Sequence, residues 1–136
     1  MGIAERRATK EFQEKSLPGL LAEIRRLAGF EIPIDISWEQ LAKVDYAESY
    51  GENWQKVYFT PTIEALKSIA RDEMGRDALK AGLKAIKFCN TSDKYSASSA
   101  VTFGGGELVV DHDPCCNVDY VTDRTDVIRK ELERAL

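Results

Sequence analysis

The chain has little of what most catalytic and membrane chemistries need. It contains one histidine and three cysteines. A thiol nucleophile would have to find its base in that one imidazole. An odd cysteine count that includes an adjacent pair, Cys115 and Cys116, is not the pattern of a disulfide framework and suits a reducing compartment. No apolar run approaches the roughly 20 residues that a membrane helix needs. The N-terminal stretch MGIAERRATKEFQEK has no apolar signal core, and Arg6 stands where a myristoylation pattern wants Ser or Thr. These features predict a soluble, cytoplasmic protein. FGGGE lacks the Lys and Ser or Thr of a phosphate loop, and SASSAV lacks the glycines of a nucleophile elbow. Basic residues are scattered, and the net charge is −4. Phosphate binding depends on clustered positive charge, so no nucleic-acid partner is expected.

What is present describes an ordinary globular chain. A length of 136 residues, with 43% hydrophobic and 31% charged residues, fits one domain with its own core. We read a single α+β domain over 1–136, with residues 1–15 as a polar helix or a loosely packed arm whose apolar positions are Ala4, Ala8 and Phe12. SLPGLLAEIRRLAGF spaces Leu17, Leu20, Leu21, Ile24, Leu27 and Ala28 as one helical face, with Gly29 as its stop. EIPIDIS alternates strictly. It reads as a half-buried strand, placed at a sheet edge because Pro33 cannot donate to a ladder. Ser37 and Gln40 form a capping-box pattern for a helix in SWEQLAKV.

Thr60 and Pro61 predict a helix start, with Ile63, Leu66, Ile69, Ala70 and Met74 buried and Gly75 as an interruption. RDALKAGLKA adds a short helix. AIKFCNT, YSASSAVTF and ELVVDHD then read as a three-strand meander, because SDK and GGG are turn signals. Val118, Val121, Thr125, Ile128, Leu132 and Leu136 mark a final helix. The expected fold is a small, mainly antiparallel sheet of about four strands, the edge strand plus the meander, with helices packed on one face.

The stretch ELVVDHDPCCNVDY gathers the chain's most reactive residues. Side chains alternate across a strand, so His112 shares a face with Leu108 and Val110, while Asp111 and Asp113 point the other way. The two carboxylates would stand roughly 7 Å apart. Groups placed so cannot converge on an ion at about 2.0–2.2 Å. We therefore expect no metal, no cofactor and no catalytic constellation here. The alternative is a metal-binding protein, or a hydrolase or redox protein, centred on His112 and Cys115 or Cys116.

The more distinctive segment is VDYAESYGENWQKVYF. Tyr46, Tyr50, Trp54 and Tyr58 recur every four residues among acidic neighbours. Such a stripe packs a core or, with its carboxylates, meets a basic partner. Asp45, Glu48, Tyr50, Glu52 and Trp54 are the candidate partner-binding residues. The expected function is binding without catalysis, to another protein or to a second copy, in the manner of an adaptor, immunity protein or antitoxin.

Overall fold

A computed structural model describes all residues, Met1–Leu136. The elements are α1 (Ile3–Lys15), α2 (Leu17–Ala28), β1 (Ile34–Ile36), α3 (Trp38–Leu41), α4 (Tyr50–Trp54), α5 (Thr60–Ile69), α6 (Glu73–Gly82), β2 (Ala85–Cys89), α7 (Ala97–Ala100), β3 (Val101–Gly104), β4 (Glu107–Asp111) and α8 (Val121–Ala135). A 3-10 turn, Ala47–Ser49, leads into α4, and a π-helical turn, Gln55–Phe59, joins α4 to α5. No helix is long and apolar enough to cross a membrane.

The α+β class holds, but the sheet is not the expected meander. Its order is β1-β2-β4-β3, with β1, β2 and β4 parallel and only β3–β4 antiparallel. The chain leaves β2, skips one strand position through the 90–96 loop and α7, runs back as β3, and returns as β4 into the gap. Turn signals between strands suggest that neighbours in sequence pair, which is the commoner outcome. Here β2 and β3 do not touch as partners. The apolar run Leu108–Val109–Val110 is what an inner parallel strand needs, whereas exposed Thr102 suits an edge. Gly105 and Gly106 close the β3–β4 hairpin at φ 58° and 82°. Two successive positive φ values are the geometry that matches strand twist, and glycine adopts it without strain. The predicted strand YSASSAVTF is a strand only over Val101–Gly104; its serines lie in and beside α7.

Helices cover the sheet face that carries Ile86, Phe88, Leu108 and Val110, all buried. The other face shows Asp35, Lys87, Thr102 and Val109 at least partly to solvent. Asp35 and Lys87 are register partners there, 3.9 Å apart across β1 and β2.

The α-helix α5 does begin at Thr60 with Pro61 in its first turn, but the chain is already helical before it. The backbone runs helically from Tyr50 to Ile69, and Thr60 is inside that rod rather than at its cap. A proline in a helix clashes with the carbonyl four residues earlier and offers no N–H. The wide turn relieves this locally, with the Thr60 amide bonding back to the Gln55 carbonyl, five residues away. Thr62 Oγ1 donates to the Tyr58 carbonyl at 2.7 Å. The rod is buried over a broad face on both sides of this turn, with Trp54, Val57, Tyr58, Phe59, Thr62 and Leu66 all without exposed surface.

Other local expectations give way to tertiary contacts. Ser37 makes no side-chain cap, and Gln40 Oε1 instead accepts the Asn90 amide at 3.0 Å, tying α3 to the end of β2. Met74 is exposed, because the helix that was to bury it stops at Ile69. Gly75 lies inside α6, whose N-cap Asp72 accepts its amide at 2.8 Å. A Cβ on Gly75 would sit 1.6 Å from the Ile69 carbonyl oxygen, so glycine permits α6 to cross tightly over the end of α5. Gly51 is likewise inside a helix, α4, and nothing lies within 4 Å of where its Cβ would be.

These two glycines should respond oppositely to substitution. Gly75→Ala forces a backbone shift and should cost about 2 kcal/mol or more. Gly51→Ala should leave stability unchanged or raise it by about 0.5 kcal/mol. Urea unfolding of both variants checks the pair.

Candidate functional site

The parallel strands end together, and the loops beyond them gather Asp111, His112, Asp113, Cys115 and Cys116. The ladder extends past β4, since the His112 amide donates to the Cys89 carbonyl at 3.0 Å. The imidazole turns inward and has no exposed surface. Its Nδ1 lies 2.6 Å from the Asp113 carbonyl. A carbonyl only accepts, so Nδ1 carries the proton. Tyr58 Oη donates to the His112 carbonyl at 2.5 Å. Burial lowers the imidazole's pKa, and the nearby Arg124 charge adds to that.

The two carboxylates are occupied separately. Asp111 accepts from the Thr91 amide at 2.8 Å, the Thr91 hydroxyl at 2.5 Å and Lys94 Nζ at 3.3 Å. Asp113 accepts from Lys43 Nζ at 2.9 Å and the Cys115 amide at 2.8 Å. Burial pushes both carboxyls up, but these donors outweigh it and hold both below the ordinary value. Lys43 also reaches Asp93 at 2.9 Å, and its two carboxylate partners raise its pKa.

The thiols are the opposite of activated. Burial, with the Asp113 charge adding, pushes Cys115 up to about 11. Burial and a hydrogen bond to Asp113 raise Cys116. A thiolate is the reactive form, and anionic neighbours suppress it. This end of the sheet therefore reads as a structural hub, in which each carboxylate tethers a loop.

The aromatic stripe divides. Trp54 and Tyr58 have no exposed surface and Tyr50 has 2%. Trp54 stacks on Tyr50 at 4.5 Å and meets Phe12 edge-on at 5.2 Å, and its indole N–H donates to the Leu41 carbonyl at 3.1 Å. Tyr50 and Trp54 therefore cannot touch a partner in this fold, because they form the core between α1, α3 and α4. Of the expected partner-binding residues, Asp45, Glu48 and Glu52 remain at the surface, and Glu52 pairs with Lys56 at 3.0 Å.

Asp45 and Glu48 stand on one wall of a groove whose other wall is α1. The groove consists of two adjoining cavities of about 350 and 310 Å³, which meet at Ala47 and Glu48. Asp45 shapes the turn at φ 72°, a left-handed conformation that aspartate tolerates better than most residues. From α1 comes Glu5, which is only 9% exposed. Its carboxylate makes no hydrogen bond and no ion pair, and neither Asp45 nor Glu48 has a cationic partner. The one lysine on the walls, Lys15, pairs with Glu11 at 2.9 Å. The Tyr50 phenol beneath is pushed up to about 12, by burial first and by the Glu5 charge second.

Glu5 is absent from the residues singled out by sequence. Its signal was the spacing of Glu5, Thr9 and Phe12, which is one helical stripe and all buried. A stripe with one apolar member reads as solvated unless the neighbouring helix is known. Compared with protein-family models, with curated proteins and with solved structures, the chain finds no match.

His112 is the chain's only histidine, so it sets stability across the range in which imidazole titrates. The unfolded chain takes up a proton there below about pH 6.5, whereas the folded chain resists it. More protons on the unfolded state means that stability rises with pH up to about 6.5 and then levels off. His112→Asn retains a donor for the Asp113 carbonyl and removes the titration. Denaturant midpoints measured from pH 5 to 8 should slope for the native chain. They should be nearly flat from pH 5 to 7 for the variant, at a lower overall stability.

Proposed function

We propose that the protein works by binding, and that its groove between α1 and the 45–51 turn receives a positively charged segment of a partner protein. The carrying observation is Glu5. Most of the residue is buried on the groove floor, while its carboxylate stays open to the groove with no hydrogen bond and no counter-charge. An incoming arginine or lysine supplies that counter-charge, and arginine also matches a carboxylate with two parallel hydrogen bonds. Exposed Asp45 and Glu48 add negative potential at the mouth, which speeds and orients encounter with a basic chain. The buried aromatics support the site from below, since Tyr50 and Trp54 hold the 45–51 turn against α1. The groove favours this reading over chemistry at His112 and the cysteines, where the imidazole is sealed and the thiols are held protonated.

A fluorescent arginine-rich peptide tests it by anisotropy. The native chain should bind at low salt and weaken as added salt shortens the screening length. The triple variant Glu5→Gln, Asp45→Asn, Glu48→Gln keeps shape and removes charge. It should unfold at or above the native midpoint and bind at least about tenfold more weakly. Glu107→Gln, on the β3–β4 hairpin, is the matched control and should bind like the native chain. Undiminished binding by a folded triple variant, or no binding by the native chain, overturns the assignment.

A further inference from the structure

We propose that a separate cavity of about 420 Å³, between the β2–α7 and β4–α8 loops, holds an uncharged planar heterocycle with adjacent N–H donors, the class of guanine and its nucleoside. The proposal begins from topology. β2 and β4 are parallel neighbours, and both loops leave their carboxyl ends. Open sheets take ligands in the crevice outside the carboxyl ends of parallel strands. This crevice is lined by both loops and the first turns of α8.

Its walls are held in place from within. Asn117, at φ 51°, donates from Nδ2 to the Tyr95 carbonyl at 2.6 Å and so clamps one loop to the other. Arg124, 1% exposed, donates to the carbonyls of Asn117 at 2.7 Å and Lys56 at 3.1 Å, and also to that of Val118. A guanidinium committed to three carbonyls fixes the loop it holds. A ligand then meets a formed site, and less of its binding energy goes into ordering it.

The lining selects the chemistry. Tyr95 and Tyr120 are 66% and 58% exposed, and neither ring packs on another aromatic residue of the chain. Such faces stack heterocycles of any sequence or charge. Ala97 and Val127 supply apolar surface, and the Ser96 and Ser98 hydroxyls lie within a hydrogen bond of each other at 3.0 Å. Asp123 has no ion-pair partner, so its carboxylate can accept two parallel N–H bonds from one ligand edge. Guanine offers that edge at N1 and the exocyclic amine, whereas adenine and cytosine do not offer two adjacent donors. The charge on the wall argues for a base or nucleoside rather than a nucleotide. Arg124 is the one cation there, its terminal nitrogens are already bonded, and a phosphate beside Asp123 would be repelled.

Isothermal titration of the full chain with guanosine, adenosine, cytidine and guanosine monophosphate decides it. Guanosine should bind with a dissociation constant below about 1 mM, and the other two nucleosides at least about tenfold more weakly. The monophosphate should bind no more tightly than guanosine. Asp123→Asn and Tyr120→Leu alter exposed side chains, so circular dichroism should match the native chain, and each should weaken guanosine about tenfold or more. No guanosine binding up to several millimolar overturns the proposal. So does equal affinity for adenosine, tighter binding of the monophosphate, or binding that both variants leave unchanged. The groove variant lacking Glu5, Asp45 and Glu48 charges should bind guanosine like the native chain, which separates this site from the first.

Discussion

One wide helical turn makes the rest of the molecule possible. Pro61 should end or kink the helix that carries Trp54, yet that helix runs on to Ile69 because Gln55–Phe59 opens to a five-residue hydrogen bond. Within the turn Val57, Tyr58 and Phe59 are all fully buried, so the rod passes through the middle of the core. Trp54 packs on Phe12 of α1 and Trp38 of α3, while Phe59 meets both Phe12, at 5.7 Å, and Phe88 of β2, edge-on at 5.0 Å. The aromatic cluster of Phe12, Trp38, Tyr50 and Trp54 then fixes α1 and the 45–51 turn, which are the two walls of the acidic groove.

The chain treats its carboxylates in two ways, and the contrast underlies the proposed role of the groove. Asp111 and Asp113 lose water but gain amide, hydroxyl and ammonium donors, and the outcome is a depressed pKa and two tethered loops. Burial of this kind is self-contained, because the protein supplies every partner. Glu5 is mostly buried as a residue, but its carboxylate stays at the groove surface with none of these donors, beside Asp45 and Glu48 that are likewise unpaired. Acceptors left free at a concave surface, where the carboxylates at the strand ends are all taken, are what the proposed binding role rests on.

Much of the architecture was legible in the pattern of residues. The period of α2, the edge placement of the strand held back by Pro33, the inward face of Ile86, Phe88, Leu108 and Val110, and the αL stop at Gly29 (φ 85°) all follow from spacing and local backbone preference. The failures share a cause. Gln40 has a better partner in Asn90 than in its own helix, and Gly75 serves a crossing of two helices rather than a break in one. The strand order turns on which gap β4 fills. Each depends on a neighbour distant in sequence, and local patterns carry no information about such neighbours.

The same division runs through the candidate site. Residue order alone placed His112 between two aspartates at the end of an alternating strand, from which opposite faces were expected on an extended backbone. It also determined that carboxylates would cluster around the aromatic segment. Tertiary structure decided which aromatics were core, because burial of Tyr50 and Trp54 depends on α1 lying across them. It decided as well that Glu5, some forty residues from Asp45, would complete the groove. Distance along the chain and distance in space are unrelated until the helices pack, and a binding surface is defined only by the second.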